Sequence, residues 1–259
     1  MPRHAQHRST RNNCLSAKST GAAAPVFLVC LCLIPVNLPV HLRVHNLALI
    51  FIGFFMLEAD NLECVRGERR LFAGLGFRLE AGELLYLQGR NGSGKTSLLR
   101  MLIGLLPPES GEIRWKGESI KALADEFRAD LCYLGHLNAI KEELTPLENL
   151  LAAARLADEE LSDDDALDAL EQVGLAGRED LACKYLSQGQ KRRVALARLI
   201  KEKRPLWILD EPFVALDITA VDWLAGIISA HLQRGGLAVM TTHQLVDIPA
   251  GTVRELHLG

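Results

Sequence analysis

The sequence predicts an α/β fold, because two short apolar segments each lead into a loop rich in functional side chains. The first segment, residues 84–88, precedes the glycine-rich loop "GRNGSGKTS". Beyond that loop, Leu98, Leu99, Leu102 and Leu106 have the spacing of a helix. The second segment lies within "RPLWILDEP" and ends in two carboxylates. Strand and helix signals that alternate in this way indicate an α/β architecture.

Composition divides the 259-residue chain near Met56. Residues 1–55 carry five basic and no acidic residues, so the remainder has 29 − 5 = 24 basic against 32 acidic residues, a net charge of −8. The overall net charge of −3 does not indicate a nucleic-acid-binding protein. None of the later cysteines has C-x-x-C spacing, so buried thiols are expected rather than a zinc or redox site.

The strongest motif is a phosphate-binding loop. Gly89, Gly94, Lys95 and Thr96 match G-x-x-x-x-G-K-[ST] between the predicted strand and helix. Glycines let backbone N–H groups turn toward an anion, and the helix N-terminus adds its positive dipole end. Lys95 is expected to reach the β- and γ-phosphates of ATP, and the Thr96 hydroxyl to bind Mg²⁺. The predicted nucleotide contacts here are Gly89, Arg90, Asn91, Gly92, Ser93, Gly94, Lys95, Thr96 and Ser97.

The second apolar segment ends in Asp210 and Glu211. At the carboxyl end of a buried strand, Asp210 is placed to hold Mg²⁺ through water. Glu211 is placed to polarise the attacking water as general base. An acidic pair at a strand end is common at protein surfaces. Beside a phosphate loop, however, the pair indicates an ATP-hydrolysing site in which Glu211 and Lys95 are the predicted catalytic residues.

A second anion-binding helix start is predicted in "YLSQGQKRRVALARLI" (185–200), with Ser187 as N-cap. One nucleotide per chain does not need two such sites. Two chains arranged head to tail would use both. Each would close this second helix start, here called the signature loop (187–190), on the γ-phosphate held by the other. The residues predicted to make this contact are Ser187, Gln188, Gly189 and Gln190.

These motifs, with "ALD" at 215–217 and the histidine of "TTHQ", resemble the nucleotide-binding cassette of ABC transporters over residues 57–259. The resemblance implies a P-loop NTPase ABC cassette with a RecA-like core, an antiparallel β subdomain and an inserted α-helical subdomain at about 137–185. It implies ATP and Mg²⁺ as cofactors. It also implies that His243 contacts the γ-phosphate and the water, and that Asp217 lies at the dimer interface.

Three positions depart from that family's pattern. Gln188 stands where the family's signature motif has its second-position glycine, a change that does not disturb the predicted helix start. His136 stands where the family carries a glutamine that senses Mg²⁺. His136 could replace the glutamine as a hydrogen-bonding group, or Mg²⁺ could be held at this position through water alone. The third alternative is a loop histidine that does not contact the nucleotide. Arg66 stands where the family stacks an aromatic ring on adenine, and its guanidinium group can stack on a base.

Two capped helices are expected between the first nucleotide strand and the signature loop. Thr145, Pro146 and Glu148 form a capping box with proline at the first helical position. Ser162 caps the second helix, which is expected to stop at Gly174. Apolar side chains that these helices leave exposed would dock a membrane subunit.

Residues 1–55 have three interpretations. Their apolar runs, 26–34 and 47–57, are each too short to span a bilayer about 30 Å thick. The segment resembles a signal peptide or an organellar transit peptide. We favour the third interpretation, a non-native or disordered extension before Met56, because an ATP-using body must stay where ATP is. The nucleotide-binding domain is then 56–259.

The wording "YLGH…IK.ELTPLENL" and the run at 72–100 further resemble the CcmA family of cytochrome c biogenesis ATP-binding subunits. That resemblance implies an ATPase on the cytoplasmic face of the bacterial inner membrane, active in haem export or in release of a haem chaperone. Its implied partners are integral membrane subunits like CcmB, CcmC and CcmD. Direct haem binding is not expected, since the sequence lacks C-x-x-C-H.

Three other functions stay open at this point. The chain could be the ATPase of a different ABC transporter, such as a small-molecule importer. A soluble ABC-type ATPase of DNA repair or translation is a second alternative, although that class has coiled-coil insertions or two cassettes. A non-catalytic nucleotide-binding module is the third, and the presence of Lys95, Asp210, Glu211 and His243 together argues against it.

Overall fold

The computed structural model describes residues 55–242, 246–249 and 251–259. The interpretations of residues 1–54 therefore lie outside the described residues, and so does the predicted role of His243.

The described residues form a mixed α/β fold of strands and helices, as the sequence predicts. The strands are β1 (Met56–Arg66), β2 (Arg69–Glu80), β3 (Glu83–Gly89), β4 (Ser110–Trp115), β5 (Glu118–Ser119), β6 (Leu131–Leu134), β7 (Leu206–Asp210), β8 (Leu237–Thr241) and β9 (Thr252–Leu258). The helices are α1 (Lys95–Leu102), α2 (Ile120–Leu123), α3 (Asp125–Asp130), α4 (Pro146–Leu156), α5 (Asp163–Gln172), α6 (Gln188–Ala197) and α7 (Ile218–Gln233). Short 3₁₀ turns lie at Cys183–Tyr185 and Arg198–Ile200.

One sheet is antiparallel and has the order β2-β1-β4-β5. Strand β1 starts at Met56, where the alternating pattern predicts it. Its apolar side chains Leu57, Ala59 and Leu62 are buried, while the side chain of Asp60 is exposed. This alternation is the pattern of a sheet with one face on a core.

The second sheet is parallel and has the order β6-β7-β8-β3-β9. Strands β3, β7 and β8 carry the functional motifs, and β8 lies between the other two. Register places Thr241 at the end of β8 opposite both Leu87 and Asp210. The phosphate loop and the acidic pair therefore leave the same edge of the sheet, on either side of β8.

Both faces of the parallel sheet are buried, which is why its strands are continuously apolar. Alternate residues of β7 separate into two cores: Ile208 faces the antiparallel sheet and α1, whereas Trp207 faces α6 and α7. A third core joins α4, α5 and α6. Cys64, Cys132 and Cys183 are free and buried, as expected of isolated thiols.

The predicted helix caps are confirmed. Thr145 and Glu148 form the capping box of α4, with Pro146 in its first turn. Ser162 caps α5, and Gly174 follows the helix with a left-handed φ of 72°. The capping hydrogen bonds join residues only three positions apart, so they can be predicted without knowing the tertiary structure.

Two helices are shorter than their apolar spacing predicts. Helix α1 ends at Leu102, so Leu106 packs on the first core from a following turn rather than from the helix. Helix α6 ends at Ala197 and tightens into the 3₁₀ turn at Arg198–Ile200. In both places an apolar side chain, Leu106 or Ile200, is partly buried against the expected core although the α-helix has already ended.

Within the described ranges, no helix combines the length and the apolar character that a bilayer crossing requires.

The first core supplies a direct test of the packing. Leu102 is 0% exposed at the end of α1, between the two sheets. Leu102→Ala should lower the free energy of unfolding by about 2–5 kcal/mol, because it removes buried methyl groups and leaves a cavity. Urea denaturation followed by circular dichroism measures the change.

The control is Leu156→Ala, at a residue that is 91% exposed, whose free energy of unfolding should stay within about 0.5 kcal/mol of the parent. Equal losses in the two variants would contradict this core.

Candidate functional site

The phosphate loop turns between β3 and α1 at positions that only glycine tolerates. Gly89 has φ 144°, and a Cβ there would collide with the Leu258 carbonyl oxygen. Gly94 is the N-cap of α1 with φ 107°, and a Cβ there would lie 3.1 Å from the Phe72 ring. The close approach of β9 and β2 thus explains two of the glycines in the motif.

Polar groups of the loop converge on its centre. The Lys95 side chain is held over the loop, where Nζ donates to the carbonyl oxygens of Gly89 (2.6 Å) and Arg90 (3.3 Å). Ser93 Oγ is buried and has no hydrogen-bond partner in the described part of the chain. The first-turn N–H groups of α1 receive no side-chain cap. A buried ammonium group, an orphaned hydroxyl and an uncapped helix start together fit a polyphosphate anion.

The oxygen ligands expected for Mg²⁺ are also present. Thr96 is exposed in the first turn of α1, and Asp210 is buried at the end of β7. Among the described residues, no group of three or more His, Cys, Asp or Glu side chains could hold a metal ion. Mg²⁺ usually binds one or two protein oxygens and completes its shell with phosphates and water. The donor set of Thr96 and Asp210 fits that mode.

Thr241 joins the two carboxylate residues. Its hydroxyl donates to Asp210 Oδ1 at 2.7 Å and accepts from the Glu211 backbone N–H at 2.9 Å. Sequence analysis missed this residue. The available signal was a hydroxyl residue at the end of the apolar run in "LAVMTT", one strand away from the acidic pair.

Glu211 has a left-handed backbone with φ 49°. For a residue other than glycine, such a conformation costs about 1–3 kcal/mol and persists only where the surroundings enforce it. The side chain of Glu211 is partly buried, and its Oε2 lies 3.7 Å from His136 Nδ1. The structure therefore brings His136 beside the predicted general base, from the loop that follows β6.

The signature loop has the predicted helix start. Ser187 Oγ accepts from the Gln190 N–H at 3.2 Å, and Gln190 Oε1 accepts from the Ser187 N–H at 2.9 Å. This capping box leaves Ser187 and Gln188 exposed. A Cβ at Gly189 would lie 2.9 Å from the Ala215 carbonyl oxygen, so the glycine permits close contact with the "ALD" segment. Contact with a partner's phosphate stays a prediction.

Asp217 has a role within its own chain. Its Oδ1 accepts from the Ala220 N–H at 3.1 Å and caps α7, and its Oδ2 pairs with Arg193 at 2.6 Å. The Ala220 N–H and then the Arg193 charge hold the pKa of this carboxyl below its ordinary value. The predicted dimer contact of Asp217 remains to be tested.

Arg66 lies exposed at the end of β1. Two residues earlier, the Cys64 thiol is hydrogen-bonded to the side chain of Ser97 in α1, and burial raises the pKa of this thiol. The end of β1 is thus beside the phosphate-loop helix, as a base-stacking role for Arg66 requires. The stacking itself stays a prediction.

A family model described as ABC transporter matches residues 72–214 of the chain. This range begins in β2 and extends through the acidic pair, so it includes the phosphate loop, the signature loop and both carboxylates.

Curated relatives match the chain over nearly their whole length. The cytochrome c biogenesis ATP-binding export protein CcmA of Dechloromonas aromatica is 89% identical over 204 residues, which are 79% of this chain and 100% of that protein. The protein of the same name from Nitrosomonas europaea is 53% identical over 79% of this chain and 96% of its own length. The one from Vibrio parahaemolyticus is 47% identical over 79% and 100%.

Solved structures agree on the fold. An ATP-binding subunit of an ABC transporter aligns with a TM-score of 0.64 and 28% identity, over 73% of this chain and 80% of that one. An ABC transporter ATP-binding protein from Pyrococcus furiosus aligns with a TM-score of 0.67 and 25% identity, over 78% and 97%. The predicted P-loop cassette fold is confirmed. The chain belongs to the ABC transporter ATP-binding family and, within it, to the CcmA family of cytochrome c biogenesis ATP-binding export proteins.

Proposed function

We propose that this ABC-type ATPase is the motor subunit of an export complex of cytochrome c biogenesis, with haem or a haem chaperone as the cargo moved or released. The observation that carries the proposal is the 89% identity to a CcmA protein along that relative's full length. The glycine-shaped phosphate loop, the acidic pair at the end of β7 and the capped signature loop support the proposal.

In the proposed reaction, Lys95 and the first turn of α1 bind the phosphates of ATP. The ammonium group exchanges the carbonyl oxygens of Gly89 and Arg90 for phosphate oxygens, at a loop whose shape is already set by its glycines. Thr96 and Asp210 would hold Mg²⁺, which when bound would supply positive charge at the phosphates. Glu211 accepts the proton of the attacking water, and His243 is assigned to the γ-phosphate and the water by family resemblance.

The proposed assembly is a head-to-tail homodimer. Each signature loop, at Ser187–Gln190, closes on the nucleotide of the other chain, and Asp217 lies at the interface. Support comes from the start of α6, where Ser187 and Gln188 are exposed at a helix N-terminus, the end of a helix that favours an anion. Hydrolysis would reopen the dimer.

Membrane partners like CcmB, CcmC and CcmD are part of the proposal, with the chain peripheral on the cytoplasmic face of the bacterial inner membrane. Leu137 and Tyr185 support such a docking role, because both are large, largely exposed side chains near the two ends of the predicted helical subdomain, 137–185. Closure of the dimer would pull on these partners through α4 and α5.

Lys95→Ala should weaken binding of Mg²⁺–ATP at least tenfold and abolish hydrolysis, because the ammonium group is the main cation at the phosphates. Binding of a fluorescent ATP analogue, titrated into parent and variant, measures the loss. Lys121→Ala removes an exposed lysine outside the site and serves as the control. Parent-like affinity in the Lys95 variant would refute the assigned role.

Glu211→Gln keeps the shape of the side chain but removes the base. Turnover should fall about 10²–10⁴-fold, the usual contribution of a general base, while ATP still binds. The variant should therefore accumulate as a closed dimer in Mg²⁺–ATP, which size-exclusion chromatography detects. Glu112→Gln, at a surface carboxylate of β4, is the control. Hydrolysis at the parent rate would exclude Glu211 as the base.

The assignment to cytochrome c biogenesis is tested by the partners. The tagged chain, extracted from bacterial membranes in mild detergent, should co-purify with CcmB- and CcmC-like proteins identified by mass spectrometry. Recovery of the membrane subunits of a small-molecule importer instead would move the ATPase to another transporter, and recovery without any membrane subunit would favour a soluble ATPase.

A further inference from the structure

Arg192 is a buried cation in the second turn of the signature helix α6. The residue is 4% exposed. All five N–H groups of a guanidinium find an acceptor here: two belong to NH1, two to NH2 and one to Nε. The acceptors are the carbonyl oxygens of Asp210 (3.3 Å), Glu211 (2.8 Å), Pro212 (3.4 Å) and Gly135 (3.3 Å), and the side-chain oxygen of Asn138 (3.2 Å).

These acceptors belong to two segments that the chain keeps far apart. Three are successive carbonyl groups at the end of β7, where the acidic pair lies. The other two lie in the loop after β6, on either side of His136. A single side chain of α6 thus holds together the signature helix, the general base and the loop of His136.

Burial of a cation does not by itself indicate a stabilising role. Burial lowers the pKa of Arg192, and the charges of Asp210 and Glu211 partly offset that shift. Replacing buried charges by apolar side chains is often neutral or stabilising, so a retained buried cation is weak evidence for a stabilising role. What the planar guanidinium offers is a rigid fork of donors, which lysine does not provide.

Glu211 is held on both sides of its strained backbone. Its N–H donates to Thr241 Oγ1 at 2.9 Å, and its carbonyl oxygen accepts from Arg192 at 2.8 Å. Since φ is 49°, the residue would relax toward an ordinary conformation if one of these bonds were lost. That relaxation would swing the carboxylate away from the water it activates.

The neighbouring residue strengthens the same connection. Lys191 is also buried, and its Nζ pairs with Glu142 at 2.5 Å. The backbone N–H of Lys184 donates to the Glu142 carbonyl oxygen at 2.8 Å. The segment from β6 to α4 is therefore attached to the signature region at both of its ends.

We propose that Arg192 is a positioning residue for ATP hydrolysis, which clamps the Glu211 backbone and the His136 loop onto the signature helix. The proposal rests on the base role of Glu211 given above. It adds that the direction of this carboxylate is set by a side chain of α6, the same helix whose start would contact the partner's nucleotide.

Arg192→Lys is the test, because it keeps the charge and removes the fork. Turnover at saturating ATP should fall about 10–100-fold, the scale expected when a catalytic group is displaced by about 1 Å. The KM for ATP should change less than threefold, since the proposed phosphate contacts within the chain lie in the loop between β3 and α1 and the capping box at the start of α6 does not involve Arg192. A merely structural role would not separate kcat from KM in this way.

Arg204→Lys is the matched control. Arg204 is also largely buried, with its side chain 14% exposed, and it pairs with Glu159 and Glu202 rather than with the site. Both variants should lose some thermal stability, but only the Arg192 variant should lose turnover when both are assayed well below their melting temperatures. A parent-like kcat, or a rise in KM at unchanged kcat, overturns the positioning role.

Two further measurements keep the proposal decidable if Arg192→Lys folds poorly or if the parent shows no turnover. Asn138→Ala removes one acceptor from the clamp without removing the cation, and kcat should fall severalfold at constant KM. A crystal structure of Arg192→Lys should show Glu211 outside the left-handed region. An unchanged Glu211 would overturn the proposal on geometry alone, whereas absence of ATPase activity in the parent would count against the proposed function only.

Discussion

A parallel sheet with both faces covered leaves only its edges for chemistry, and this constraint governs the whole molecule. Strands β3, β7 and β8 are buried on both sides, between α1 with the antiparallel sheet and α6 with α7. Their carboxyl ends are the places where polar groups can reach solvent without opening a core. Residues from distant parts of the sequence therefore meet at one edge, since parallel strands all end there.

At that edge the Thr241 hydroxyl orders the catalytic groups. It donates to the Asp210 carboxylate and accepts from the Glu211 N–H. A residue of β8 thus holds both carboxylate residues at the end of β7 in place. A hydroxyl can do both because it is a donor and an acceptor at once. The left-handed turn at Glu211 depends on such bonds, and the geometry of the base is consequently a property of the sheet rather than of "LDEP" alone.

Helix α6 combines two kinds of surface. Its start is capped by its own Ser187 and Gln190 and leaves Ser187 and Gln188 exposed, which suits a contact with another molecule. Its next turn is buried and carries the cations Lys191 and Arg192, which hold the loop after β6 and the end of β7. A displacement of the helix start would therefore move the hydrogen-bond donors of Arg192 at Glu211, because both lie on one rigid helix less than three turns long.

The sequence by itself determined the features whose physics is local. The phosphate loop, the caps at Thr145, Ser162 and Ser187, and the buried strand before Asp210 follow from residue types and spacing within a few positions of each other. Their outcome depends on backbone conformation and on nearby hydrogen bonds, which distant packing does not change.

Only the tertiary structure decided which distant groups touch. No spacing in the sequence relates Thr241 to Asp210, His136 to Glu211, or Arg192 to the loop after β6. The register of parallel strands brings the first two pairs together, and the packing of α6 on the sheet brings Arg192 to that loop. The same holds where α1 and α6 end earlier than their apolar periodicity predicts, since Leu106 and Ile200 are partly buried against the neighbouring cores although neither lies in the α-helix. Local patterns determine which side chains are present at the site, and long-range packing determines how they face one another.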